Sequence, residues 1–214
     1  MKVKGKLKIL TNFLFTVIFI LSIRYLIRYR LNLKKAAEFS KDALYPKKES
    51  EFASILLPVE WKEMKPLTKQ TKSYQYVKWG TVLGLFILVV VLLVVFTTDY
   101  LGSSFFNLAY IFYILISLVR HQGNLYILPK GIILNGKYYP ASQIQHYETE
   151  QIVRWHELYG YHSRVDNGYK LKFDIKRKMF QPDYVVVEDY AHLQQIMALL
   201  DQKGIKGVHK KAQK

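Results

Sequence analysis

The chain contains no cysteine. Disulfides, thiolate nucleophiles and cysteine metal sites are therefore excluded, although the compartment is left open. Acids are scarce: 16 Asp and Glu stand against 32 Lys and Arg, a net charge of +16. Also missing are a glycine-rich phosphate loop ending in Lys-Ser/Thr, a Gly-x-Ser-x-Gly elbow and a His-Glu-x-x-His helix. No RNA- or DNA-binding motif is legible among the basic residues, so nucleic acid is not an expected partner. Nothing implies a cofactor, and an enzyme is not expected.

What is present is apolar length. Thr81–Phe96 carries no charge and no strongly polar group, and Phe105–Val119 is a second apolar run. Thr97–Ser104 separates them. Counted from Trp79 to Thr97, the first run at about 1.5 Å per residue crosses a hydrocarbon core of roughly 30 Å. In lipid both runs have to be helical, because backbone polar groups cannot go unpaired there. The alternative is a buried hairpin in a soluble core. A third run, Ile9–Ile27, follows Lys2, Lys4, Lys6 and Lys8. Lysines before an apolar run suggest a secretory signal, but no small-residue cleavage site follows, so an uncleaved anchor is expected. Arg24 sits near the end of this run, where its side chain can snorkel to the interface.

Orientation follows from the flanks. Arg28, Arg30, Lys34 and Lys35 follow the first run, Lys69, Lys72 and Lys78 precede the hairpin, and Arg120 and Lys130 follow it. The hairpin connector carries only Asp99. The positive-inside rule places residues 28–78 and 120–214 in the cytoplasm. The four N-terminal lysines conflict with an outside N-terminus, so the first helix either spans against the rule or lies in the interface. Tyr74, Tyr76 and Trp79 suit an aromatic interfacial belt.

Residues 31–78 read as a cytoplasmic connector. Leu31–Leu44 suits a short surface helix stopped by Pro46, and Trp61 suits packing on the soluble domain or at the interface better than a binding site. After Arg120 the texture changes to short strands: Asn124–Leu128, Gly131–Leu134, Lys137–Tyr139 and a longer one, Gln143–Trp155. Asn135-Gly136 is the favoured type I′ turn pair. Gly160–Gly168 reads as a loop. From Gly168 to Lys176 the chain alternates, with Tyr169, Leu171, Phe173 and Ile175 on one face and Lys170, Lys172, Asp174 and Lys176 on the other. Tyr184–Val187 is another strand. Asp189 can cap a helix running to Lys203 whose stripe is Leu193, Ile196, Met197 and Leu200. Leu171, Phe173 and Ile175 are expected to pack on Leu193, Ile196 and Leu200. A basic tail, Lys206–Lys214, is expected to be disordered.

The expected fold is thus an α+β membrane protein. Three transmembrane helices, one N-terminal and then a hairpin, precede a small antiparallel β barrel or sandwich closed by a C-terminal helix. The divisions are 1–30 (membrane helix), 31–78 (connector), 79–120 (hairpin), 121–205 (soluble domain) and 206–214 (tail). A membrane hairpin followed by Tyr126-Ile-Leu-Pro-Lys-Gly131-Ile-Ile-Leu-Asn-Gly136 and Pro140-Ala-Ser-Gln-Ile144 resembles the bacterial pleckstrin-homology-like domains attached to membrane hairpins. The resemblance covers residues 120–205 and the hairpin. It implies a membrane-attached binding or scaffolding module.

Two clusters invite a site. His156-Glu157 with His162 offers metal-ligating types, but Gly160 interrupts them and the spacing suits no single helix face, so exposed loop histidines are the plainer reading and no metal is expected. Lys170, Lys172, Lys176, Arg177 and Lys178 fall on one strand face and its exit. They are either a solvated face or a surface drawn to anionic headgroups, at about 1 kcal/mol per basic residue near the bilayer. The resulting expectation is a non-enzymatic, multi-pass protein of the cell membrane. Its cytoplasmic domain contacts anionic lipid, a protein partner or a second copy. The alternative is an accessory subunit of a membrane complex acting through its helices.

Overall fold

The computed structural model describes residues 2–97, 110, 112–114, 119, 123–176 and 183–210. The chain forms two compact units: Met1–Asn32 with Lys72–His121, and Leu33–Thr71 with Gln122–Lys214.

In the first unit the N-terminal apolar run belongs to α1, Lys2–Phe39, one unbroken helix of 38 residues. It does not stop at Ile27, because no proline or glycine intervenes before Pro46. At 1.5 Å per residue the rod is about 57 Å long, and only its part up to Asn32 lies in this unit. The second helix, α2 in chain order, is the short Glu49–Ala53 of the other unit. The third, α3, spans Lys72–Thr97. Gly84 lies against Leu26 of α1 and Gly80 against Val119, so small residues mark where α3 meets its neighbours. Phe112 packs on Phe15 and Phe19 of α1.

Three transmembrane helices are not what the structure shows. Among the described residues one helix is long and apolar enough to cross a membrane: Lys72–Val94, with mean hydropathy 2.5 and 22% of its window buried. Most of the run 105–119 and the connector 98–104 lie outside the described residues. The N-terminal run is not a separate short span, because it shares a continuous helix with the charged stretch that follows it.

The second unit is α+β. A three-stranded meander holds β2 (Leu125–Leu128), β3 (Gly131–Leu134) and β4 (Lys137–Pro140) in that order. Asn135 and Gly136 both have positive φ, 52° and 74°, as the type I′ turn between β3 and β4 requires. Gly131 is required by close approach. A Cβ there would run into the Tyr139 carbonyl and Pro140 of β4. The other sheet has the order β1-β7-β6-β5-β8. Its strands are β1 (Ile55–Leu56), β5 (Ile144–Gln151), β6 (Tyr169–Ile175), β7 (Tyr184–Val187) and β8 (Lys206–Lys210).

The expected antiparallel barrel or sandwich is therefore corrected: the strands form two sheets with no closed barrel, and one pair is parallel. The reason is β8. It lies parallel to β5, pairing His146 with Lys206 through Glu150 with Lys210. It thereby occupies the edge of β5 that a closing strand would need. Expected as disordered tail, residues 206–210 are instead pinned. The His209 ring nitrogen lies 2.8 Å from the Thr149 hydroxyl, and Lys210 donates to Glu148 at 3.0 Å. Gly207 lies flat on Tyr147, whose ring and hydroxyl leave no room for a Cβ. Residues 211–214 lie outside the described residues.

The expected connector is likewise structural. Its residues 33–71 belong to this unit. β1 pairs with β7, and its free edge is covered by the return of the chain, where Met64 N–H donates to Ile55 and Leu57 N–H to Lys62. Tyr45 N–H and Leu44 N–H donate to Ile127 at the edge of β2. The core follows the expected periods. Leu171, Phe173 and Ile175 are buried on β6, and Leu193, Ile196 and Leu200 are buried on α4 (Tyr190–Asp201). Asp189 caps α4 by accepting from Ala191 N–H, and Gly204 follows its end with φ 72°. This leaves the opposite face of β5 and β6 for polar residues.

Candidate functional site

That polar face carries the lysines singled out above. The antiparallel register sets Glu148 opposite Lys172, Glu150 opposite Lys170 and His146 opposite Asp174. Lys170 and Lys172 thus each meet an acid across the strands, the arrangement that stabilises a sheet. Lys170 donates to Glu157 at 2.5 Å and sits 5.1 Å above the Tyr184 ring. Lys172 lies 3.9 Å from Glu148, which also receives Lys210 and approaches His146 at 3.3 Å. The Lys210 hydrogen bond, helped by His146 and Lys172, holds the Glu148 carboxyl below its usual range although burial opposes it. Lys170 does the same for Glu157. Lys176 is exposed at the strand exit. Arg177 and Lys178 lie outside the described residues. The expected basic face is therefore a ladder of alternating sign over most of its described length.

The histidines of the 156–162 stretch serve the loop. His156 Nδ1 accepts from Leu158 N–H at 2.9 Å and His162 Nδ1 from Arg164 N–H at 3.2 Å. With one ring nitrogen of each committed to a local turn, they do not converge. Among the described residues no group of three His, Asp or Glu is placed to hold a metal ion.

A different centre, not anticipated from the sequence, forms around Arg164. Its Nε donates to both oxygens of Glu188 at 3.1 and 3.0 Å, NH1 reaches Glu63 at 2.5 Å, and NH2 donates to the Ala53 carbonyl at 3.0 Å. One guanidinium thus ties together the long loop, the end of β7, the end of α2 and the turn after β1. Glu188 first, then Glu63, stabilises its charge and raises its pKa further above the ordinary arginine value, although burial acts the other way.

A groove of about 580 Å³ opens beside Arg164, lined by Ser50, Ser54, Tyr169, Glu188, Asp189 and His192 among others. Tyr169 and Tyr190, with ring centroids 5.2 Å apart, separate it from a hollow of about 280 Å³ bordered by Gln151, Leu193, Met197 and Lys210. Comparison with family models, with curated proteins and with solved structures finds no match. The site is therefore read from its own chemistry.

Glu188 is spent on Arg164, and Asp189 caps α4. On α2, Glu51 is buried, a setting that pushes a carboxyl up. The Lys47 and Lys48 N–H groups, at 2.6 and 3.1 Å, together with Gln195 and His192, outweigh burial and hold it low. Burial pushes the Tyr45 hydroxyl far above its usual value. Around neutrality Glu51 is thus ionised and Tyr45 protonated.

Proposed function

We propose that the chain is a non-enzymatic binding module of the cell membrane, anchored by α3 and presenting its second unit to partners at the bilayer. The observation that carries this reading is α3 itself. Trp79, Leu83, Phe86, Val90 and Leu93 are exposed along it. Water would not tolerate that row of side chains without a cover, and lipid supplies one. The two segments of the second unit form one compact body, and they share one side of the bilayer if the chain recrosses it between residues 97 and 122. Lys69, Lys72 and Lys78 around the start of α3 favour the cytoplasmic side.

In this reading the second unit acts as a pleckstrin-homology-like module. Support comes from residues that carry the resemblance: the Tyr126–Gly136 stretch with its Asn135-Gly136 hairpin, and the Pro140–Ile144 strand entry. The Arg164 groove and the surface around it are where a partner would be engaged.

Photo-crosslinking of the full chain in its native membrane tests the reading. A crosslinking residue is placed at Tyr190, at Lys176 or at Leu83. The expected result is adducts of defined mass from Tyr190 or Lys176, with lipid alone from Leu83. Protein adducts confined to Leu83 would overturn it in favour of an accessory subunit acting through its helices.

A further inference from the structure

The loop between β5 and β6, residues 152–168, is long but not loose. Ile152 N–H donates to Gly168 and Asn167 N–H returns to Ile152, closing its base. Gly160 turns the tip with φ 85°, and its N–H donates to Asp166 at 2.7 Å. Ile152, Leu158 and Val165 pack on Leu56 and Val186 of the sheet, with Trp61 and Tyr184 alongside. An ordered loop of this kind would normally turn its aromatic residues inward. Here Trp155 is 75% exposed, Tyr161 67% and Tyr159 40%. Tyr161 lies beside Trp61, ring centroids 6.1 Å apart. Trp61 and Glu60 are held at positive φ, 50° and 64°, a conformation bulky residues rarely adopt.

The charges around this surface are selectively silenced. Glu157 is paired with Lys170, Glu63 with Arg164 and Glu60 with Lys62. Asp166 accepts the Gly160 N–H. Glu157, Glu63 and Glu60 thus each have a cationic partner. Arg154 precedes Trp155 in the loop, and its guanidinium lies 5.9 Å from the Trp155 ring. Tryptophan and tyrosine with one arginine is the composition that settles at a membrane–water boundary, where the rings are apolar and their N–H and O–H remain wet.

Size points the same way. The exposed parts of the three rings amount to an area on the order of 400 Å², about half of what each side of a stable protein pair buries. A free partner would need more. A domain tied to its bilayer does not, because tethering turns docking into an intramolecular event. Trp61 is followed within eleven residues by Lys72, the first residue of α3.

We infer that the exposed aromatic side chains of this loop, Trp155, Tyr159 and Tyr161, seat in the headgroup–acyl boundary of a phospholipid bilayer. The inference rests on the proposed anchoring by α3 and adds to it the lipid-facing surface of the second unit.

The test uses the full chain in vesicles of mixed zwitterionic and anionic phospholipid brominated high on the acyl chain. The double variant Trp61→Phe/Trp79→Phe leaves Trp155 as the single reporter, and Trp61→Phe/Trp155→Phe leaves Trp79. The expected result is that Trp155 loses most of its emission to brominated lipid, emits at shorter wavelength than in water and resists aqueous iodide. If Trp79 is quenched by lipid while Trp155 stays open to iodide, the inference is overturned and the anchor stands. Quenching of neither overturns both. A Trp155 shielded from iodide but untouched by brominated lipid would overturn the lipid assignment in favour of contact between copies. As a guard against misfolding of the tryptophan variants, Tyr161→Cys provides the only thiol in the chain for a polarity-sensitive dye. Its emission should shift to shorter wavelength on reconstitution, and a water-like spectrum in vesicles would overturn the inference independently.

Discussion

Replacing Phe173 with alanine should lower the melting temperature of the second unit by about 10–20 °C in detergent or bicelles. Phe173 is fully buried in the middle of β6. It sits between Leu171 and Ile175, on the strand flanked by both β5 and β7. Truncating a buried phenylalanine costs about 3–5 kcal/mol, partly for lost apolar transfer and partly for the cavity left behind. A whole domain is stable by only about 5–15 kcal/mol. Lys176→Ala at the exposed end of the same strand is the control and should shift the transition by no more than about 1–2 °C. A Phe173→Ala protein melting with the parent would mean that this face is not the core.

Arg164→Met is expected to destabilise the second unit by about 2 kcal/mol. The substitution keeps apolar volume but removes the cation that Glu188 holds with both oxygens and that also binds Glu63 and the Ala53 carbonyl. Hydrogen bonds to charged groups contribute about 1.5–3 kcal/mol each where shielded. Arg164, about one-third exposed, is screened by water, which brings the whole cluster down to roughly that value. The effect should be local first. Amide exchange at Val165 and Gly168, whose N–H groups bond within the 162–168 turn, should speed up more than exchange in β6. A loss below about 0.5 kcal/mol, or no change in loop exchange, would show that the guanidinium is a bystander.

The elements legible in the sequence are those whose determinants are local. Asn135-Gly136 demands its turn by backbone geometry, Tyr169–Lys176 alternates cleanly, and Asp189 with the Leu193–Leu200 stripe marks a helix from its cap onward. β1 and β8 were not legible, because two residues and a Lys-Gly-Val-His-Lys run show no period. They exist only because β7 and β5 offer edges to pair with. Missing β8 also cost the barrel. The lysines on β6 were placed correctly on one face, but their neutralisation depends on β5, whose acids are opposite only once the register is known. Arg164 was invisible for a similar reason. Its partners Glu188, Glu63 and Ala53 lie 24, 101 and 111 positions away in the chain. The exposed aromatics of the loop read in sequence as ordinary strand and loop residues, because exposure is a property of the fold.

The central claim is that lipid covers the apolar surface of α3. Alkaline carbonate washing of membranes from cells producing the full chain tests it most directly, since proteins held only by polar or peripheral contacts are stripped by high pH and integral ones are not. The account predicts that the chain stays in the membrane pellet. Release into the supernatant would mean that protein covers α3 and would contradict the anchoring on which the proposed function rests.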